Sequence, residues 1–342
     1  MNSNEQPLVS VVTPVYNCGS YIAECIESVL AQTYSNWEYI IVNNRSTDET
    51  GAIAEKYARA DKRIRVYHNN DFLPVMANHN RAVRLISPDA KYCKIVCGDD
   101  WIFPECLTQM VRLAEANPSV SIVGSYQLSG DQILWQGFRY PKAVFSGREI
   151  CRRIFLRAER TFGFGSPTSL LYRADIVRRA KEFYPNPSPH SDTSACFENL
   201  RDSSFGFVYQ VLAFERTHEA SQSAKSILMN RYSSAYLSDV IQYGPHYLNA
   251  EELKGVLDRQ LKGYHRFLAA VFFTRSGDKE FWDYHTSRLA ELGYPLKRST
   301  LVKVGLSTAV QEMFNPRRGL AKFRRRLSPN QKAYTQDSVT HS

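Results

Sequence analysis

Hydrophobic positions along the first 126 residues recur with two alternating periods. LVSVVT, Leu8 to Thr13, is an apolar, β-branched run closed by Pro14, which cannot continue a hydrogen-bonded ladder, so it reads as a buried strand. After Ser20, Ile22, Cys25, Ile26, Val29 and Leu30 fall at helical spacing and predict a helix with one apolar stripe. YIIV, Tyr39 to Val42, predicts a second strand, and Ser46 with Glu49 has the spacing of a capping box that would start a helix through Ile53, Ala54 and Tyr57. IRVY (Ile64 to Tyr67), a helix through Asn80 and Val83, the run YCKIVC (Tyr92 to Cys97), a helix from Glu105 to Ala116 and SIVGSY (Ser121 to Tyr126) continue the series. Buried strands alternating with amphipathic helices predict an α/β fold, a doubly wound, mostly parallel sheet with helices on both faces. Ligands of such sheets bind at the carboxyl ends of strands, here the segments after Val12, Val42 and Cys97.

Beyond Tyr126 the pattern loosens. Hairpin-like pieces lie around Gly130 and Trp135, a capped helix is predicted at Ser146 to Glu149, and a glycine-rich turn follows at Phe162 to Ser169. A strand at Ser169 to Arg173, a proline-bearing stretch from Tyr184 to Asp192 and a strand pair in FGFVYQVLAFER come next. From about Lys225 the composition turns helical, which predicts a catalytic-type domain at 1–224 and a mostly helical region at 225–342 with a basic tail. In that tail, residues 315–327 hold six basic side chains and no acidic one, with Leu320, Phe323 and Leu327 at i, i+3 and i+7. On paper this is a basic amphipathic helix.

Composition narrows the classes. No apolar run approaches the roughly 18 to 20 residues that span a bilayer, and MNSNEQPLVSVVTP has no secretory signal pattern, so a cytoplasmic location is expected. The seven cysteines are scattered without CxxC spacing, which argues for reduced thiols over a disulfide framework or a zinc ribbon. Cys93 and Cys97, read as one strand face, are expected to be buried as small apolar groups. The net charge of +9 favours anionic partners such as phosphates or acidic lipid, and no recognised nucleic-acid motif accompanies it.

The turn after the first strand, PVYNCGS, lacks GxGxxG, and no Walker A sequence occurs, which removes support for dinucleotide or P-loop chemistry. What stands out is polar residues on three strand ends: Tyr16 and Asn17, then Asn43, Asn44 and Arg45, then Asp99 and Asp100. Two adjacent carboxylates repel unless something positive lies beside them, so Asp99 and Asp100 form either a solvated turn or a cation site.

Three stretches carry a resemblance: VSVVTPVYNCGSYIAECIESVLAQTYSNWEYIIVNNRSTDET, CGDDWIFPECL and, more weakly, SDTSACFENL followed by LAFERTH. Over roughly residues 7 to 222 the chain resembles the family 2 inverting glycosyltransferases of the GT-A fold. The resemblance implies transfer of a sugar from a nucleotide-diphosphate sugar, UDP-linked donors ahead of dTDP or GDP, to a hydroxyl acceptor in polysaccharide or glycolipid assembly. It implies a divalent cation, Mn2+ or Mg2+, held by Asp99, with His218 as a further metal or phosphate contact. Asp192 matches the catalytic base, and Pro14, Val15, Tyr16, Asn43, Arg45, Asn80, Asp99, Asp100 and Arg216 match nucleotide-sugar contacts. FGFGSP, Phe162 to Pro167, would be an acceptor loop. Two departures stand out: Cys97 replaces the first aspartate of the DxD motif, and VNNRS replaces the commoner VDDGS. They motivate an alternative, a catalytically weak or inactive nucleotide-sugar-binding protein. The basic tail reads either as a solvated helix face or as a peripheral dock on an anionic membrane surface where a lipid-linked acceptor would reside.

Overall fold

A computed structural model describes residues 6–157, 163–185, 188–218, 222–272 and 274–313. The chain divides into two compact units, 1–225 and 226–342. The first holds β1 (Val9–Val15), α1 (Ile22–Leu30), β2 (Trp37–Asn43), α2 (Thr50–Ala60), β3 (Ile64–His68), α3 (Val75–Arg84), β4 (Tyr92–Ile95), β5 (Trp101–Ile102) and α4 (Cys106–Ala116). It continues with β6 (Val120–Ser129), β7 (Gln132–Leu134), β8 (Val144–Ser146), α5 (Gly147–Leu156), a 3-10 turn (Pro167–Ser169), β9 (Leu170–Arg173), α6 (Ala174–Arg179), α7 (Ser191–Asn199) and β10 (Ser204–Glu215).

One sheet runs β3-β2-β1-β4-β9-β6-β10-β5, with β7 paired to β6 and β8 to β10. The half β3-β2-β1-β4 is parallel, as the apolar runs require. The other half is mixed, because β9 pairs antiparallel with both β4 and β6, while β6 and β10 are parallel. Helices cover both sides. The apolar stripe of α1, Ile22, Cys25, Ile26 and Val29, is buried in a core shared with β1, β2 and α4. Strand order reverses between β1 and β4, and at such a switch point the neighbouring loops diverge and open a crevice at the strand ends.

Four local readings change. The Ser46–Glu49 box does not cap α2, which begins at Thr50 without a side-chain cap at Glu49. Asp48 instead accepts from the Thr50 N–H at 3.1 Å and the Gly19 N–H at 2.8 Å, while Ser46 Oγ accepts from the Asn17 N–H at 3.0 Å. Ser146 stands before α5 but makes no cap bond, and Glu149 pairs with Lys142. Apart from its final Arg216, FGFVYQVLAFER is not two strands but part of the single strand β10, which absorbs the irregularity as register shifts near Val208 and Val211. Finally β4 ends at Ile95, so Cys97 lies beyond the strand in the turn; none of the seven cysteines is in a disulfide.

The chain passes through α8 (Gln222–Leu228), which straddles the boundary, into the second unit with α9 (Arg231–Tyr247), α10 (Ala250–Val271), α11 (Lys279–Glu291) and α12 (Arg298–Met313). Its core joins Leu237, Tyr264, Leu268, Phe281, Leu289 and Leu301. The buried His285 donates Nε2–H to the Met229 carbonyl at 2.9 Å, which leaves Nδ1 to accept the Tyr264 hydroxyl at 2.5 Å. Among the described residues no helix is long and apolar enough to cross a membrane. Residues 315–327, read above as a basic amphipathic helix, lie outside the described residues.

Candidate active site

The crevice at the ends of β1 and β4 gathers the aspartate pair, and its two members have different surroundings. Asp100 is buried; it accepts from Thr168 Oγ1 at 2.6 Å on one oxygen and from the Arg216 backbone N–H at 3.0 Å on the other. Burial, helped by the neighbouring charges of Asp99 and Glu215, pushes its pKa well above the usual carboxylate range. Asp100 therefore ties the β4 turn to the 3-10 turn and to the end of β10. Asp99 remains about a quarter exposed, and its Oδ2 lies 3.0 Å from His218 Nε2. Asp99 is the member of the pair free to face a ligand.

Arg216 and His218 follow β10 directly and reach back over this turn. The Arg216 Nε donates to the Asp99 carbonyl at 3.1 Å and its Nη2 to Glu24 Oε2 at 2.5 Å. Its guanidinium lies over Tyr21, 4.7 Å from the ring centroid, and over Trp101, which stacks on Phe214 at 3.7 Å. His218 approaches Tyr21 at 5.4 Å between centroids. A cation pinned over two aromatic rings beside a half-open carboxylate and an imidazole suits an anionic ligand bridged by a metal ion.

The floor of the turn is built by two residues the sequence reading passed over. Thr168 Oγ1 also accepts the Cys97 N–H at 3.1 Å, and the fully buried Lys94 donates Nζ to the Thr168 carbonyl at 2.5 Å and the Leu170 carbonyl at 3.1 Å. Burial lowers the Lys94 pKa from its usual value. The only advance sign was a lysine inside an otherwise apolar strand. Cys97 faces the same turn, and burial raises its thiol well above the ordinary value, so it stays neutral where the family pattern has a carboxylate.

On the other side of the crevice, Tyr16 is exposed and meets Phe72 edge-to-face at 4.8 Å. Pro14 and Val15 are buried in β1, with Val15 packed so closely on Gly98 that a Cβ there would sit 2.8 Å from it. Both therefore present backbone rather than side chain. The Asn43 amide is turned inward: Oδ1 accepts the Ser46 N–H at 3.0 Å, which fixes the amide, and Nδ2 donates to His68 Nδ1 at 3.1 Å. His68 Nε2–H then faces Glu55 at 3.0 Å. Asn44 pins the next loop through Leu73 and Asn69. Arg45, at φ 58, donates to the Asn70 carbonyl at 2.7 Å. Asn80 is engaged at both amide atoms by the Tyr184 backbone, at 3.0 and 2.8 Å, so it clasps α3 to the segment before α7 and not to the crevice.

Asp192 lies in the first turn of α7, after an N-cap at His190, and one of its oxygens accepts the Thr193 N–H at 2.8 Å. It therefore sits inside the helix and does not cap it. Its charge acts on Glu215, the last residue of β10, which also feels Asp99. Glu215 was missed by the sequence reading; it accepts from Gln127 Nε2, and burial raises its carboxyl to about 7. Of the glycine-rich loop, Phe162 lies outside the described residues, while Ser166 bonds to Gln127 at 2.5 Å. Among the described residues no three His, Cys, Asp or Glu side chains converge as a preformed cation cage.

Residues 10–180, half of the chain, match the model for glycosyl transferase family 2. The chain belongs to this family. Over 130 residues, 37% of this chain, it is 40% identical to the uncharacterized glycosyltransferase EpsJ of Bacillus subtilis (strain 168), spanning 36% of that protein. Of two further glycosyltransferase relatives it spans 39% and 50%. Among solved structures it resembles S. aureus TarS (residues 1-349, in complex with UDP-GlcNAc) with a TM-score of 0.59 and 15% identity over 84% of this chain and 80% of that one. It also resembles the mannosyltransferase PcManGT of Pyrobaculum calidifontis, in complex with GDP-Man and Mn2+. That match has a TM-score of 0.55 and 14% identity over 93% and 84% of the two chains. These last two likenesses establish a GT-A type fold for this member of the family.

Proposed function

We propose that this chain is an inverting glycosyltransferase that moves a sugar from a nucleotide-diphosphate sugar, UDP-linked by preference, to a hydroxyl acceptor in polysaccharide or glycolipid assembly. The observation that carries the reading is the division of labour within the aspartate pair. Asp100 is consumed as a buried clasp, while Asp99 stays half-open between Arg216 and His218 at the switch point of the sheet. A carboxylate oxygen and an imidazole nitrogen side by side fit Mn2+ or Mg2+, whose remaining positions phosphate oxygens and waters fill. Asp99 and His218 would hold the cation, which when bound offsets charge on the departing diphosphate. Arg216, anchored by Glu24 and the Asp99 carbonyl, binds the same diphosphate by charge-assisted hydrogen bonds. Tyr16 and Phe72 offer apolar faces for the base. Asp192 accepts the proton of the acceptor hydroxyl as that oxygen attacks the anomeric carbon opposite the diphosphate, which inverts the configuration there.

The test is transfer, or donor hydrolysis, by the unsubstituted chain and by Asp192→Asn. Loss of roughly a hundredfold or more in rate with donor affinity retained is expected, in line with the usual worth of a general base. Equal rates in the two proteins would remove Asp192 from the role. A second reading, a catalytically weak or inactive nucleotide-sugar-binding protein, has its own support. Asn43 spends both amide atoms internally and Cys97 is a neutral thiol, so two contacts the family pattern makes are weakened here. Binding of nucleotide sugars without any turnover would favour it.

A further inference from the structure

Glu215 ends β10 one residue before Arg216, and neither its role nor its partner belongs to the machinery above. Its neighbour Gln127 lies two registers away on the parallel strand β6, a diagonal that long side chains bridge. The orientation of the Gln127 amide is fixed by chemistry. The Trp135 indole N–H can only donate, and it points at Gln127 Oε1 at 3.4 Å; Ser166 Oγ donates to the same oxygen at 2.5 Å. The amide nitrogen is thereby left for Glu215 Oε2. Trp135 is itself held in place: its backbone adopts φ 66, rare for a bulky residue, and its ring lies so close to Gly163 that a Cβ there would sit 2.7 Å from it.

One carboxylate oxygen is thus locked from behind by a chain of three residues on β6, the β7 hairpin and the glycine-rich loop. The other, Oε1, has no partner among the described residues and is not sealed off. Glu215 directly precedes Arg216, whose backbone N–H bonds Asp100, and it feels the charges of both Asp99 and Asp192, so it lies near the group assigned to the diphosphate and the group assigned to the acceptor proton. The anomeric carbon has to lie between those two groups. A fixed, largely buried carboxyl with one oxygen open at that point is suited to a ring hydroxyl, which it can meet as acceptor when ionised or as donor when protonated.

The geometry points to Glu215, oriented by Gln127 and Trp135, as the residue that reads a hydroxyl of the transferred sugar ring and so selects the donor. This rests on the glycosyl-transfer reading above and adds a specificity determinant to it. A site built to bond a hydroxyl rejects an analogue lacking it, because its own polar group is then left unpaired.

The experiment measures binding of UDP, GDP, UDP-glucose, UDP-galactose, UDP-GlcNAc and GDP-mannose, and of singly deoxygenated analogues of the sugar that binds best, to the unsubstituted chain, Glu215→Ala and Glu215→Gln. Glu215→Ala is expected to weaken the nucleotide sugar by roughly tenfold or more while leaving the nucleoside diphosphate unchanged, the size of one hydrogen bond to a charged group. One deoxy analogue should show the same loss on the unsubstituted chain and no further loss on Glu215→Ala. Glu215→Gln, which keeps the Gln127 contact and the fold, should fall between the two, and it carries the test should Glu215→Ala not fold. Equal weakening of nucleotide and nucleotide sugar, or no deoxy position coupled to Glu215, overturns the inference and leaves the transfer reading intact. Binding of none of these compounds by the unsubstituted chain overturns both.

Discussion

Asp99 and Asp100 are chemically identical neighbours, and what separates their tasks is which of them the fold supplies with donors. Asp100 Oδ1 and Oδ2 each receive one, from Arg216 and Thr168, so removing its carboxyl would strand two buried polar groups. Asp100→Ala is therefore expected to cost about 2 to 4 kcal/mol of stability, read as a clear drop in denaturation midpoint, whereas Asp99→Ala should leave the midpoint within about 1 kcal/mol. A reversed order would mean that the two roles are exchanged. The sequence could announce the pair, because two carboxylates at the end of an apolar run are conspicuous, but it could not split them. The deciding partners lie 68 and 116 residues further along the chain. Glu215 had the same advance signal, a carboxylate closing the apolar run LAF, and was passed over because it stands alone. Asn80 was singled out by the resemblance alone, and its partner, the Tyr184 backbone, was not legible.

At the scale of elements, the parallel half of the sheet was readable because each strand is a short apolar run between helices of a different period, and burial on both faces enforces that pattern. The mixed half was not, since β9 is placed by pairing with β4 and β6 rather than by anything local. The caps at Ser46 and Ser146 failed for a related reason: Asp48 takes the Thr50 N–H and hydroxyl, and Glu149 pairs with Lys142. In the helical unit, burial lowers His285 on α11 from 6.5 to about 4, with Arg275 and Arg231 adding to the effect. The unfolded chain takes up this proton as pH falls through 6.5, whereas the folded chain refuses it until about 4. Above pH 6.5 the group is neutral in both states and costs nothing; between 6.5 and 4 stability falls, by up to about 3 kcal/mol. Denaturation of the unsubstituted chain and of His285→Gln at pH 7.5 and pH 5 should show the penalty of the substitution shrinking at the lower pH. A penalty that grows as pH falls would mean that His285 is charged in the fold.

For the molecule as a whole, the net charge of +9 and the run of six basic residues at 315–327 bear on where a lipid-linked acceptor would be met. We expect the full chain to float with vesicles containing anionic lipid at low salt and a chain ending at Asn315 to float less; equal flotation would remove the basic segment from membrane docking. The proposed donor site turns on Asp99. Thermal denaturation of the full chain with a panel of nucleotide sugars, with and without Mn2+, addresses it most directly. Stabilisation by one nucleotide class that requires the cation and disappears in Asp99→Ala is the expected result; stabilisation indifferent to both the cation and Asp99, or none with any donor, would contradict the account.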